Sequence, residues 1–227
     1  MKKVVVSFVS AAALASISMA MAGGMTSTVA SDDQASNNPA GVYISGDLGY
    51  GSVNNYFRST DFTGAAPRSF KNGAFAWAAN LGYQFNPYVA LEAGYMTFGQ
   101  AKVSVTPTSG AGFTNTVSFG GFDGVVKGML PIGNAFSLFA KAGAIDMHAT
   151  GVLTHSAAGY TLGGTHAHGN TWMPLAGAGA AYNVNSNVAV TVEDDYAFQT
   201  RFTQNNVRTT MPGANDILAG VSYKFVV

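Results

Sequence analysis

From Gly41 to the C-terminus, large apolar residues alternate with polar or small ones in eight stretches. The last stretch is the clearest: Ile217, Ala219, Val221, Tyr223 and Phe225 share one parity, and Asp216, Gly220, Ser222 and Lys224 the other. A period of two makes an extended strand with one apolar and one wet face. In a soluble sheet the apolar face would need a second layer, and the chain has neither an amphipathic helical stretch nor a spare sheet to supply one. The pattern therefore predicts an all-β protein, an eight-stranded antiparallel up-and-down transmembrane β-barrel whose apolar face meets lipid.

The other seven stretches carry the same pattern. The first covers about 41–50, with Val42, Ile44, Leu48 and Tyr50 set against Tyr43, Ser45, Asp47 and Gly49. In the second, about 73–86, Phe75, Trp77, Leu81, Tyr83 and Phe85 oppose Ala76, Ala78, Asn80, Gly82 and Gln84, large outward and small inward, as a narrow barrel requires. The third, about 88–98, turns Glu92 inward, and the fourth, about 117–130, turns Asp123 and Lys127 inward. In the fifth, about 135–146, the alternation is weaker, because Phe139 and Ile145 share the parity of Lys141, which is expected inward, while Phe136, Leu138 and several alanines share the other. The sixth runs over about 172–184. The seventh, about 187–199, turns Glu193 and Asp195 inward and leaves Asp194 on the lipid parity, which calls for a bulge or a place near the interface.

Short connectors at Asn86-Pro87, Gly133-Asn134 and Asn185-Ser186 alternate with long ones at about 51–72, 99–116, 147–171 and 200–215. Outer-membrane barrels keep their short turns in the periplasm and their long loops outside, which orients the chain. Aromatic residues gather at both ends of the stretches, as two girdles would. Phe75 to Phe85 spans roughly 25 Å at ~3.3 Å per residue and ~40° tilt, the height of an apolar band.

Ahead of the barrel, Met1-Lys2-Lys3, an apolar run from Val4 to about Met19, and Ala20-Met21-Ala22 read as a signal peptide over 1–22. Residues 23–40 follow no period and read as a flexible periplasmic lead-in to a barrel over 41–227. The 227-residue chain has no cysteine, so neither disulfides nor a lipidated cysteine anchor it. Its 11 basic and 11 acidic residues balance, leaving no footprint for nucleic acid.

Gly220-x-x-Tyr223-x-Phe225, Gly177-x-Gly179 in a stretch ending at Tyr182, and Lys141 followed by Gly143 resemble the small eight-stranded outer-membrane barrels, the OmpA-like transmembrane domain and the opacity-type surface proteins. The resemblance implies insertion by the outer-membrane assembly machinery, with Gly220, Tyr223 and Phe225 in the assembly signal, and residence in the outer membrane of a Gram-negative bacterium after signal-peptide-directed secretion. Two features depart from the family pattern: the chain ends Phe225-Val226-Val227 instead of on the aromatic, and Leu218 stands where a polar residue is usual.

Three groups of residues carry candidate chemistry. Asp47, Glu92, Asp123, Lys127, Lys141, Glu193 and Asp195 are expected to form a luminal polar network, since an eight-stranded interior is filled by side chains whose charges must pair. A rearranging network would make a small pore instead. Arg58, Arg68, Lys71, Lys102, Arg201 and Arg208 form a basic rim suited to lipopolysaccharide phosphates. His155, His166 and His168 could hold a metal ion, although a solvated loop explains them as well. No cofactor is implied. His155-Ser156 makes a poor catalytic dyad because neighbours on a strand point apart, and no enzyme is expected.

Together these readings suggest a monomeric outer-membrane protein in contact with lipid and lipopolysaccharide. Its role is structural and adhesin-like, with long extracellular loops available to host surface molecules. The alternative is a small porin or a channel for hydrophobic ligands.

Overall fold

A computed structural model describes residues 40–54, 68–105, 111–157, 160–204 and 207–225. The signal peptide expected over 1–22, the lead-in expected over 23–40 as far as residue 39, and Arg58 lie outside the described residues.

Eight strands close into a ring: β1 (Gly41–Val53), β3 (Gly73–Asn86), β4 (Val89–Val105), β5 (Ala111–Ile132), β6 (Phe136–Ala157), β7 (Tyr160–Asn183), β8 (Val188–Ala197) and β11 (Ala214–Phe225). Each pairs antiparallel with the next in the chain's order, and β11 returns to β1 with Val42 opposite Phe225 and Val53 opposite Ala214. Closure leaves no edge strand, which the hydrocarbon interior would not tolerate. Three short strands lie outside the ring: β2 (Arg68–Lys71) pairs with the upper part of β4, and β9 (Thr200–Gln204) with β10 (Val207–Met211).

Burial follows the period of two, inverted relative to a soluble protein. Leu48 is 60% exposed and Leu81 58%, whereas Asp47 and Glu92 on the opposite parity are 3% and 5% exposed. Lipid, not water, is the solvent that such a surface requires. The exposed aromatics stack edge-on in two belts. Tyr83 with Phe85 and Tyr223 with Phe225 lie near the short turns, and Tyr196 with Phe198 and Tyr95 with Phe122 near the other end. Val221, at 51% exposure between Gly46 and Val190, belongs to this lipid face. Val221→Arg is expected to cost up to ~2 to 4 kcal/mol at midplane depth. Folding yield into liposomes measures this, and a yield equal to wild type would contradict the facing.

The structure revises several boundaries. Two of the stretches expected as long loops continue as ladders: β4 and β5 stay paired up to Val105 opposite Phe113, and β6 and β7 up to Ala157 opposite Tyr160. Gly99, at φ 79°, takes up a bulge in β4, and the ladder resumes beyond it with Ala101 and Val103 turned inward. Thr, Ser, Val and small residues suit extended backbone even where they carry no strong alternation, so composition suggested a loop where pairing holds. The connectors at 51–72 and 200–215 hold β2 and the β9–β10 hairpin. In β6, Phe139, Lys141 and Ile145 all point inward and the alanines face lipid. No bulge occurs at Asp194: its rungs to Ala178 and Ile217 are continuous, and it sits on the outer face two residues from girdle residue Tyr196.

Candidate functional site

The lumen is divided along its axis. Toward the short turns it is polar. Glu92 of β4 accepts hydrogen bonds from Tyr43 Oη at 2.6 Å and Lys127 Nζ at 2.8 Å, and the Lys127 ammonium also stands 4.1 Å from the centre of the Phe139 ring. Lys141 of β6 donates to Asp195 Oδ2 at 2.9 Å and pairs with Glu193 at 3.0 Å, all three being buried. A third chain of bonds runs from Asn80 to Ser45 (3.2 Å), from Ser45 to Asp47 (3.2 Å) and from Thr191 to Asp47 (2.9 Å). It crosses from β3 through β1 to β8, over β11 and therefore over the seam between first and last strands. Asp123 stands on the lumen side between Gly94 and Ile145, and Asp216 lies opposite Asp195 on one rung, fully buried.

Glycines face these charges for a steric reason. A Cβ on Gly177 would run into the Asp195 carboxylate, and one on Gly220 into that of Asp47. The Gly-x-Gly and terminal-strand motifs thus make room for the inward charges of neighbouring strands in a narrow ring. Tyr223 and Phe225, by contrast, face outward into the girdle.

Toward the opposite end the lumen is apolar. Phe98, Met96, Ile145, Met147, Met173 and Leu218, each at most 3% exposed, pack with Phe119, Val125 and Leu175 into one cluster. The sequence reading did not foresee this plug. The signal was present: Met96 and Phe98 continue the parity of Glu92, and Met173 and Leu175 that of Gly177. The unusual Leu218 is one of its members.

The basic and histidine groups are spread along the outer hairpins. Lys71 and Lys102 lie directly opposite each other, both exposed, and the backbone of Arg68 pairs with Val105. In the β9–β10 hairpin the backbone of Arg201 pairs with Thr210 and that of Arg208 with Thr203. His168 Nδ1 lies 3.4 Å from Thr150 Oγ1, and His148 Nε2 is 3.7 Å from Asp146. His166 opposes Val152 and His155 opposes Leu162, on different rungs of the β6–β7 ladder. The side chains of Arg68, His155, His166 and Arg208 are outside the described residues. Among the described residues no three potential ligands converge on one metal position.

A closed antiparallel ring, apolar outside with two aromatic belts and filled with side chains inside, defines an outer-membrane β-barrel. The family model of the OmpA-like transmembrane domain matches residues 37–227, and the chain belongs to that family. An uncharacterized protein of Coxiella burnetii (strain RSA 493 / Nine Mile phase I) is 28% identical over 99% of this chain and 100% of its own length. Among solved structures, Neisserial surface protein A aligns with 14% identity over 83% of this chain and 100% of its own, at a TM-score of 0.45. OprG from Pseudomonas aeruginosa aligns with 13% identity, covering 84% and 98%, at 0.46. Ail, the attachment invasion locus protein of Yersinia pestis, aligns in its complex with the heparin analogue sucrose octasulfate with 12% identity, covering 82% and 97%, at 0.44.

Proposed function

We propose that this barrel is a structural, surface-interactive protein of the outer membrane, exported by its signal peptide, inserted through its terminal strand by the assembly machinery, and acting as a monomer through its outer hairpins. The observation that carries this reading is the apolar plug. A lumen filled by Phe98, Met147, Ile145 and Met173 offers no wet path, which weighs against the small-porin alternative. What is left for contact is the part beyond the girdle. From Asp146 to Ala157 the β6–β7 ribbon runs roughly 35 Å along the strand at ~3.3 Å per residue.

Lipopolysaccharide is the proposed partner of the basic rim. Like charges directly across a rung repel, so Lys71 and Lys102 are most favourable with an anionic group shared between them, as a headgroup phosphate would be. The metal reading of His155, His166 and His168 is kept only as a calorimetric control, since the register puts them on separate rungs.

Thr150 and His168 are rung partners, so replacing 151–167 by Asn-Gly closes the hairpin with a favourable two-residue turn. That variant is expected to fold with wild-type yield and to bind host cells or matrix more weakly. Combining it with shortened β4–β5 and β9–β10 hairpins is expected to abolish that binding. If adhesion survives removal of all outer hairpins, the surface reading fails.

A further inference from the structure

At the short-turn end the lumen opens into a recess of about 560 Å³, counting the part open to solvent. Its wall brings two ammonium groups, Lys127 and Lys224, together with the hydroxyls of Ser137, Ser186 and Ser222 and the side-chain amides of Gln84, Asn183 and Asn187. None of the described residues lining it is acidic. The carboxylates lie one layer deeper: Glu92 behind Lys127, and Asp47 behind Thr191, whose hydroxyl is turned toward it. Lys127 spends one of its three N–H groups on Glu92 and presents its charge at the floor of the recess.

The mouth is built, not incidental. Asn185 Oδ1 accepts from the backbone N–H of both Asn187 and Val188, which fixes the turn, and Asn187 Nδ2 donates to the carbonyl of Lys224 at 2.8 Å. The turn thereby holds the backbone that carries one of the two ammonium groups. The apolar cluster seals the lumen toward the other end, so the recess is blind. A blind, donor-rich pocket with two cations in its wall, and no carboxylate among the described residues lining it, suits a small anion without conducting it.

We propose that this vestibule, on the side that outer-membrane barrels turn to the periplasm, is a binding site for a small oxyanion, a phosphate or carboxylate group held between Lys224 and Lys127 with hydroxyl and amide donors around it. It is independent of the outer hairpins and goes beyond the surface role proposed above.

The test is titration of the full-length folded protein in detergent micelles, followed by NMR of the backbone amides, with inorganic phosphate and succinate as separate probes at constant ionic strength. Saturable shifts are expected at Ser186, Asn187, Ala189 and Ser222. Lys224→Met is expected to weaken binding about ten-fold, the loss of one charge-assisted contact. Shifts with phosphate alone assign a phosphate-bearing ligand and shifts with succinate alone a carboxylate, and either result supports the site. The absence of a saturable shift with either probe, or shifts unchanged in Lys224→Met, overturns it. An unchanged amide spectrum elsewhere in the barrel shows that the variant is folded.

Discussion

Lys141→Met is expected to destabilise the barrel by about 3 to 5 kcal/mol, because it leaves Glu193 and Asp195 buried without their cation. The setting makes Lys141 more sensitive than Lys127. Asp216 faces Asp195 across one rung, so three carboxylates crowd a region into which Lys141 extends, whereas Glu92 keeps the Tyr43 hydroxyl if Lys127 is lost. Urea unfolding in detergent micelles measures the loss. Adding Glu193→Gln and Asp195→Asn to Lys141→Met is expected to restore much of it, since neutral partners no longer require a counter-charge. Wild-type stability for the single variant would mean that the pairs are not coupled as the geometry indicates.

Phe98→Ala is the second large effect expected, again about 3 to 5 kcal/mol, from removal of a fully buried aromatic side chain in the apolar plug. The bulge at Gly99 fixes the backbone at this point, so collapse around the missing ring is limited and the loss belongs at the upper end. Planar-bilayer recording adds a second readout. The wild-type barrel is expected to be silent, and a cavity made by Phe98→Ala lies within the apolar cluster, so it stays dry and silent too. Stable unitary currents from the wild-type protein would overturn the sealed lumen and favour the porin reading.

The membrane band was legible in the sequence because one solvent acts there on every strand. Each outward residue from Val42 to Tyr50 and from Phe75 to Phe85 answers to lipid alone, so alternation reports facing directly. Facing became ambiguous in β6, where Phe139 and Ile145 serve an apolar interior layer and the lipid side is built from alanines. Hydrophobicity cannot separate lipid from core when both are dry. The outer hairpins were hidden for a different cause: small and hydroxyl-bearing residues dominate there, the alternation fades in the sequence, and only backbone pairing reveals the strands. Glu92, Lys127 and Glu193 could be placed inside from clear parity, and Lys141 from a weaker one, but their partners could not, because the stagger between strands decides which rungs meet.

The chain of bonds from Asn80 through Ser45 and Asp47 to Thr191 has a kinetic consequence. It fastens the one junction in the ring that no turn connects, the seam of β1 with β11. A slip of that seam by one residue would swing Asp47 out into lipid and break the chain at its centre, so the wrong closure costs far more than a lost rung. The side-chain latch forms only when the last strand has arrived in register. Contacts made that late retard opening without hastening closure, so the latch lengthens the lifetime of the closed barrel, a property set by rate more than by equilibrium.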